Sequence, residues 1–282
     1  MSRIKSIAGR HGVLKLGFAR QNGSTVLAES FFRAPLQVMK PRYDESGTAC
    51  VYLLSPMGGV VQGDDYQIEV TLSPNSHATL TTQAATKVYA MPIQGALQSL
   101  RGQIGENAIF EYLPDPTILF SDANFAQRIA FSLAPGAMLV MQEIVMPGRL
   151  ARGERLAFAQ YQSHLEVSDS NGVLLFDSYC LKPKHQPYLA DVGVLDGYAC
   201  WGSWFLVGDF EMPHWDALCE ITEPLLNCAN KTIGGLSQLS RNGIAMRMLA
   251  HNAGAIQSTF QTIWDWLKLK HFGLGTVDLR KY

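Results

Sequence analysis

The sequence has few charged residues and no excess of either sign. Only 17% of its 282 residues are charged, against about 25% in a typical soluble protein. Its 23 lysines and arginines balance 24 acidic residues, which gives a net charge of −1. No basic footprint for nucleic acid or an anionic membrane is present. A surface this poor in charge indicates instead that protein partners cover much of it.

Cysteines and long apolar runs are also scarce. The five cysteines are scattered and form no CxxC pair, which favours free thiols in a reducing compartment over a disulfide framework. No apolar run approaches the roughly 18 residues that a transmembrane helix needs. The N-terminus is mildly basic but lacks the apolar stretch of a secretory signal. These absences predict a cytoplasmic protein.

Known catalytic and nucleotide-binding motifs are missing as well. The sequence contains no GxSxG, P-loop or GxGxxG pattern. No two histidines have HxH or HxxxH spacing, and none lies within four residues of a cysteine, which argues against a structural zinc site. We therefore expect a protein that is not an enzyme and holds no tightly bound cofactor or stable metal. Transient contact with a metal in passage needs no such spacing.

What the sequence does contain is a series of short strands. An Asn22-Gly23 turn between two alternating segments predicts a hairpin over residues 12–34. Glycines and prolines interrupt residues 41–215 and leave little room for long helices. Two helical patterns occur near the end, one around Leu218 and Ile221 with Pro224 as its expected stop or kink. The other follows residues 256–267 with Asn252 as N-cap, and Lys268 and Lys270 complement its C-terminal dipole.

A weak internal repeat links the strands into one architecture. The segments VTLSPNSHATL, LRGQIGENAIF and IAFSLAPGAML align on Ala78, Ala108 and Ala137, in steps of 30 and 29 residues, and LEVSDSNGVLL is a looser fourth copy. Such a period is typical of stacked units, although regular hairpins in any all-β chain produce similar spacing. The pattern predicts a mainly β fold of stacked, β-solenoid-like sheet layers. We expect these layers and the two short C-terminal helices to form a single domain over residues 1–282.

The stretch from Ser55 to Met91 holds the first candidate site. Its turn contains Gly58, Gly59 and Gly63 followed by Asp64 and Asp65. Asp64, Asp65 and Glu69 are either an acidic cation site or, more simply, a solvated strand edge after a turn. The polar run Thr81, Thr82, Gln83, Thr86 and Lys87 is either an ordinary threonine-rich strand face or the lining of a wet channel between layers.

A second candidate segment, QEIVMPGRLARGE, carries charges of both signs. Glu143, Arg149, Arg152 and Glu154 suggest an ordered ion-pair network at a loop, and a docking surface is equally consistent because arginine is enriched at interfaces.

Several motifs in matching order resemble the urease accessory protein UreD (UreH) family. These are SPMGGVVQGD, LTTQAATKVYAM, EYLPDPTILF, the GRLARGE segment, PLQVMKP near the start and RNGIAMRMLA before the last helix. The resemblance spans nearly the whole chain. It implies a mostly β, stacked-sheet fold and a non-enzymatic maturation factor for the nickel enzyme urease.

The resemblance also implies partners and residue roles. The family binds apo-urease and acts with UreF and the GTPase UreG to insert nickel, with a water-filled tunnel as the suggested path and a dimer of the accessory complex as one assembly. Carried over residue by residue, Asp64 and Glu143 become carboxylates of a transient nickel path, which Thr82, Gln83 and Lys87 also line. Gly58, Gly59 and Gly63 form the structural turn, and Gly148, Arg149, Gly153 and Glu154 form the docking motif. The alternative is a β-solenoid carbohydrate-active enzyme with Asp64 and Asp65 as paired carboxylates.

Overall fold

The protein is built almost wholly from β-strands. The computed structural model describes residues 11–44, 46–55, 58–228, 231–276 and 279, so Pro56 and Met57 of the first motif lie outside the described residues. The strands are β1 (His11–Gln21), β2 (Ser24–Arg33), β3 (Gln37–Val38), β4 (Arg42–Tyr43), β5 (Ala49–Leu54), β6 (Asp65–Leu72), β7 (His77–Thr82), β8 (Thr86–Val88), β9 (Ala96–Ile104), β10 (Ile109–Leu113), β11 (Thr117–Leu119), β12 (Asn124–Leu133), β13 (Met138–Met146), β14 (Gln160–Asp169), β15 (Gly172–Leu181), β16 (Cys200–Gly208), β17 (Thr232–Gln238) and β18 (Gly243–Ala250).

Helices are few and mostly lie late in the chain. Two α-helices are present among the described residues, α1 (Trp215–Leu226) and α2 (Ala253–Leu267). Short 3-10 turns occur at Leu150–Arg152, Pro183–His185 and Pro187–Ala190, and a π-helical turn at Lys268–Phe272 follows α2. In the described part of the chain, no helix is both long and apolar enough to cross a membrane. The predicted mainly β fold with two C-terminal α-helices is confirmed.

Two sheets stack face to face. Sheet A has the strand order β15-β14-β12-β9-β6-β1-β2. Sheet B has the order β17-β18-β16-β13-β10-β7-β5-β3, with the short β4, β8 and β11 beside it. From β5 to β14 the chain passes back and forth between the sheets, and equivalent strands pair in parallel. Each coil therefore lies on the preceding one, as the predicted β-solenoid-like stack requires.

The internal repeat corresponds to these coils, with one offset. Leu100 pairs with Ile129, so the second and third copies stack in register with their sequence alignment. Ile68, and not Val70, pairs with Leu100, so the first copy is shifted by two residues. A shift of two keeps every side chain on the same face, which is why the pattern was still visible in the sequence.

The fourth copy is only half a coil. Leu165 pairs with Ile129, so β14 continues the stack. β15 then turns back antiparallel beside β14 in the same sheet and does not cross to sheet B. Sheet B is instead extended by β16, which pairs antiparallel with β13 and then with β18.

Alternation along the strands separates two hydrophobic cores. On β13, Leu139, Met141 and Val145 point between the sheets, whereas Val140 and Ile144 point to the other face of sheet B. Helix α2 covers that outer face with a stripe made of Ile256, Phe260, Ile263, Trp264 and Leu267, all buried. The solenoid interior and the helix layer therefore share sheet B as a common wall.

The hairpin and α2 are confirmed as predicted. The end of α1 and the environment of Lys268 differ from the prediction. β1 and β2 pair around the Asn22-Gly23 turn. The Asn252 side chain accepts the backbone N–H of Ala255 at 2.8 Å and caps α2. Pro224 lies inside α1, which continues to Leu226, and of the two apolar residues of the pattern Leu218 is buried and Ile221 is exposed. Lys268 does not sit in solvent at the helix end but is buried, for a reason given below.

Candidate functional site

A row of polar side chains crosses the inner face of sheet A. Tyr66 on β6 pairs with Gln98 on β9, and Gln98 pairs with Gln127 on β12. Gln127 pairs in turn with Ser163 on β14, and Ser163 with Tyr179 on β15. Five strands spaced by about 4.8 Å give this row a length of roughly 19 Å. The neighbouring row on the same face, two residues further along each strand, is wholly apolar and consists of Ile68, Leu100, Ile129 and Leu165.

Glu143 of sheet B faces the end of this row. Its position in the alternation of β13 turns the side chain inward, between the two sheets. Oε1 accepts hydrogen bonds from Tyr161 and Ser163 at 2.8 Å each and a longer one from Gln127 Nε2 at 3.3 Å. Oε2 accepts one hydrogen bond, from the Tyr179 hydroxyl at 2.6 Å. Sheet A therefore supplies four donors to one carboxylate of sheet B.

The Glu143 carboxylate is buried and has no cationic partner among the ion pairs of the described residues. Burial raises the pKa of Glu143 above its usual value, although its hydroxyl donors act in the opposite direction. Burial and the nearby Glu143 charge also hold the pKa values of Tyr161 and Tyr179 well above the ordinary tyrosine value. Both phenols consequently remain hydrogen-bond donors at neutral pH.

Two small cavities flank the polar row. The inner cavity, of about 30 Å³, is bordered by Glu143, Asp115, Gln127 and Thr82, among others. This volume holds about one water molecule. The entrance cavity, of about 160 Å³, is lined by Gly58, Gly59, Tyr66, Gln83 and Lys87, among others. The two cavities share four lining residues: Leu53, Thr82, Thr86 and Gln98.

The predicted path residues fall along these cavities, with Asp64 just outside them. Thr82 borders both cavities, Gln83 and Lys87 line the entrance cavity, and Glu143 lines the inner one. Asp64 is buried and its Oδ2 accepts hydrogen bonds from the Val61 N–H at 2.8 Å and the Tyr66 hydroxyl at 2.6 Å. Asp64 therefore fixes the turn and orients a lining tyrosine. The structure thus brings the path residues to one region, and their role in a nickel path stays a prediction.

The acidic cluster considered at the Gly-Asp turn does not form. Asp65 and Glu69 lie on the outer face of β6, where they pair with His11 at 3.7 Å and Lys15 at 2.8 Å. Asp64 points to the interior, because consecutive strand residues face opposite ways. The arrangement of Asp64 and Asp65 as paired carboxylates of a glycan-cleaving site is therefore wrong.

The glycines of the turn have backbone angles that favour glycine. Gly58, Gly59 and Gly63 have φ values of +81°, +152° and +77°. A Cβ on Gly59 would lie 2.3 Å from the carbonyl oxygen of Lys87. The turn can thus approach β8 closely only with glycine at this position.

The docking motif contains a single ion pair and not a network. Arg149 Nε lies 2.9 Å from Glu154 Oε2, and the guanidinium stacks over Phe120 with its carbon 4.5 Å from the ring centroid. Gly148 and Gly153 have φ values of +150° and +72°. Glu143 takes no part in this pairing, because it points between the sheets. Whether the loop docks a partner stays a prediction.

A second buried carboxylate, Glu111 on β10, was not singled out in the sequence. It lies under α2, where its oxygens accept hydrogen bonds from His77 Nε2 at 2.7 Å, Trp264 Nε1 at 2.8 Å and Lys268 Nζ at 2.9 Å. Burial alone would raise the pKa of Glu111, but Lys268 and His77 outweigh it and lower the pKa to about 2. This cluster joins the C-terminal helix to sheet B, and it explains why Lys268 is buried.

The sequence contained a signal for the polar row, but the aligned repeat segments begin two residues after it. Gln98, Gln127 and Ser163 each lie two residues before an aligned apolar position: Leu100, Ile129 and Leu165. Extending the repeat by two residues would have placed all three in one column. Tyr179 had no such signal, because β15 leaves the repeat.

The polar groups at the inner cavity are oxygen donors for the most part. Among the described residues, no group of three or more His, Cys, Asp or Glu side chains is placed to hold a metal ion. The inner cavity instead offers two carboxylates, Glu143 and Asp115, among amide and hydroxyl groups. Oxygen donors of this kind suit hard or borderline divalent cations and hold them less tightly than thiolates.

Comparison of the sequence with known proteins identifies its family. The family model described as "UreD urease accessory protein" matches residues 10–280. The urease accessory protein UreD of Haloarcula marismortui is 31% identical over 277 residues, covering 97% of this chain and 91% of the relative. The UreD of Acaryochloris marina is 31% identical, with 97% and 95% covered, and that of Bacillus cereus 29% identical, with 96% and 98% covered. The chain belongs to the UreD urease accessory protein family.

Proposed function

We propose that this chain supports urease maturation by guiding nickel, as cargo, along the polar row between its two sheets. In this role it acts in the cytoplasm as a non-enzymatic scaffold with UreF, the GTPase UreG and apo-urease. The observation that carries the proposal is Glu143, a buried carboxylate with four donors and no cationic partner among the described ion pairs, facing a continuous polar row. Family membership supplies the urease context.

The charge of the row favours a cation. Inside the solenoid, a divalent ion near Glu143 meets a negative charge that water screens only weakly. The amide of Gln127 and the hydroxyl of Thr82 also line the inner cavity, and the Ser163 hydroxyl bonds Glu143. Their oxygens can replace part of a hydration shell. Because none of these ligands is a thiolate, the ion is free to move on.

The size of the inner cavity implies that the cargo sheds water as it passes. A volume of about 30 Å³ has room for about one water molecule and not for a fully hydrated ion. The entrance cavity is about five times larger and has Lys87 and Gln83 in its wall. We therefore place partial dehydration between Thr82, which borders both cavities, and Glu143.

The test replaces Glu143 by Gln, which keeps the side-chain size and removes the charge. Urease is coexpressed with its accessory proteins, and its nickel content is measured by plasma mass spectrometry with urease activity as a second readout. The variant is expected to lower the nickel content severalfold, while recovery of this chain with urease and the other accessory proteins stays unchanged.

Glu69→Gln is the matched control, because Glu69 is an exposed carboxylate on the outer face of β6. It is expected to leave nickel loading at the wild-type level. Full nickel loading with Glu143→Gln would refute the path, and loss of complex formation in that variant would assign Glu143 a structural role instead.

A further inference from the structure

A third cavity lies beyond the end of the polar row. It measures about 640 Å³ and is mainly apolar, with Leu181, Leu189, Val194, Trp201 and Ile233 in its wall. It lies at the edge of the molecule where β15 of sheet A meets β16–β18 of sheet B. Its wall also includes Tyr179, the last member of the polar row, and Ser203, which pairs with Glu143 across β13 and β16.

Tyr179 separates this outer cavity from Glu143. Its hydroxyl donates to Glu143 Oε2 at 2.6 Å and accepts the Trp201 indole N–H at 3.1 Å. Tyr179 and Trp201 both line the outer cavity, whereas Glu143 lines the inner one. The phenol is therefore the contact between the two spaces.

The two oxygens of Glu143 are not equivalent. Three donors converge on Oε1, from Gln127, Tyr161 and Ser163, whereas Tyr179 alone bonds Oε2. A cation that binds Oε1 must displace three donors, and one that binds Oε2 must displace only the Tyr179 hydroxyl. The Oε2 side is thus the cheaper site for an arriving ion.

We propose that Tyr179 is a gate that closes the outer end of the nickel path and opens when a divalent cation takes its place on Glu143 Oε2. The proposal rests on the proposed function, because it assumes that the row carries nickel. The half-buried Tyr179 lies on the edge strand β15 beside a cavity far larger than its own ring, so its side chain has space to swing away. Arrival of the cargo then removes the hydrogen bond that holds the gate shut.

Tyr161 provides a matched comparison within the same site. It too donates its hydroxyl to Glu143, at 2.8 Å, but it is fully buried and packs against Phe125 with ring centroids 6.2 Å apart. It does not border the outer cavity. Tyr161→Phe and Tyr179→Phe therefore each remove one hydrogen bond to the same carboxylate, and only the second acts on the gate.

The test measures access to the buried Ser163, which pairs with Tyr179 on the neighbouring strand, donates to the same carboxylate and does not line the outer cavity. Ser163→Cys is introduced into the full-length chain and treated with a trimethylammonium methanethiosulfonate reagent, a small organic cation that modifies thiols. Peptide-resolved mass spectrometry separates modification of the introduced thiol at position 163 from that of the five native cysteines. Entry from the other end is hindered by the inner cavity of about 30 Å³.

Adding Tyr179→Phe to Ser163→Cys is expected to speed modification about tenfold or more. A hydrogen bond to a charged group shifts the equilibrium between the closed and open positions of the side chain by at least that factor. Adding Tyr161→Phe is expected to change the rate less than twofold.

Equal rates in the two double variants would overturn the gate. If Tyr179→Phe speeds labelling but Glu143→Gln leaves urease fully loaded, Tyr179 closes the polar row, but the row does not carry nickel and both proposals fail as stated. If Glu143→Gln lowers loading while the labelling rates stay equal, only the gate fails.

Discussion

The buried pair of Lys268 and Glu111 yields a sharp stability prediction. Lys268→Met keeps an aliphatic chain of similar length and removes the ammonium that lies 2.9 Å from Glu111. Glu111 is fully buried and Lys268 is 1% exposed, so water cannot replace the lost partner. Breaking a buried pair from one side costs about 3–5 kcal/mol.

The pKa of Glu111 gives a consistent magnitude. The difference between its usual value of 4.5 and the value of about 2 in the folded protein corresponds to roughly 3 kcal/mol. At about 2.1 cal/mol/K of unfolding entropy per residue, a loss of 3–5 kcal/mol lowers the melting temperature of this chain by about 5–8 °C.

The pH dependence has a definite sign. Because folding lowers the pKa of Glu111, the protein gains this stability fully above about pH 4.5 and loses it as the pH falls towards 2. The unfolded-state pKa of Glu111 is common to both proteins, so their difference in stability follows the folded-state pKa, which Lys268 lowers and burial alone would raise. The difference between wild type and Lys268→Met should therefore be larger at pH 7 than at pH 4. Urea unfolding followed by tryptophan fluorescence at pH 7 and pH 4 measures it.

Two variants make the comparison decisive. Lys270→Met removes an exposed lysine two residues away and should change the unfolding free energy by less than about 0.5 kcal/mol. Glu111→Gln combined with Lys268→Met removes both charges but keeps an acceptor near Trp264 Nε1, and should recover part of the lost stability. A Lys268→Met protein as stable as Lys270→Met would refute the assignment of the pair as the anchor of the C-terminal helix.

Two further predictions concern packing and capping. A Cβ at Gly102 would lie 2.3 Å from the ring of the buried Phe131, so Gly102→Ala should lower the unfolding free energy by about 1–3 kcal/mol, whereas Gly235→Ala, which meets open space, should not show this loss. Urea midpoints that are equal for the two variants would contradict the close packing of β9 on β12. Asn252→Ala should cost about 1 kcal/mol by removing the cap of α2. Asn252→Asp, which keeps an acceptor, should cost less in the same assay.

Local signals predicted the elements that depend on neighbouring residues. The Asn22-Gly23 turn gave the hairpin, and the spacing of apolar residues with the Asn252 cap gave α2. The repeat predicted the stack because each coil buries the same apolar column on the next. These features need only the period of the sequence and the chemistry of turns.

Register and long-range pairing could not be predicted in the same way. The first copy is offset by two residues, and the connections that lead back to sheet A differ in length: the one between β8 and β9 is longer than the one between β11 and β12. The pair formed by Glu111 and Lys268 spans 157 residues, and no local pattern connects them. The inward direction of Glu143 follows from its place in the alternation of β13, whereas the neighbouring charged loop suggested that Glu143 belongs to an ion-pair network or a docking surface.

The location of nickel inside the assembled protein is the most direct measurement. Crystals of the accessory complex, or of this chain with its partners, are soaked in nickel, and anomalous diffraction is recorded above and below the nickel absorption edge. We predict an anomalous peak between the sheets, on the Oε2 side of Glu143, that disappears in Glu143→Gln crystals. Nickel bound only at surface histidines, with no peak along the polar row in either protein, would contradict the proposed path.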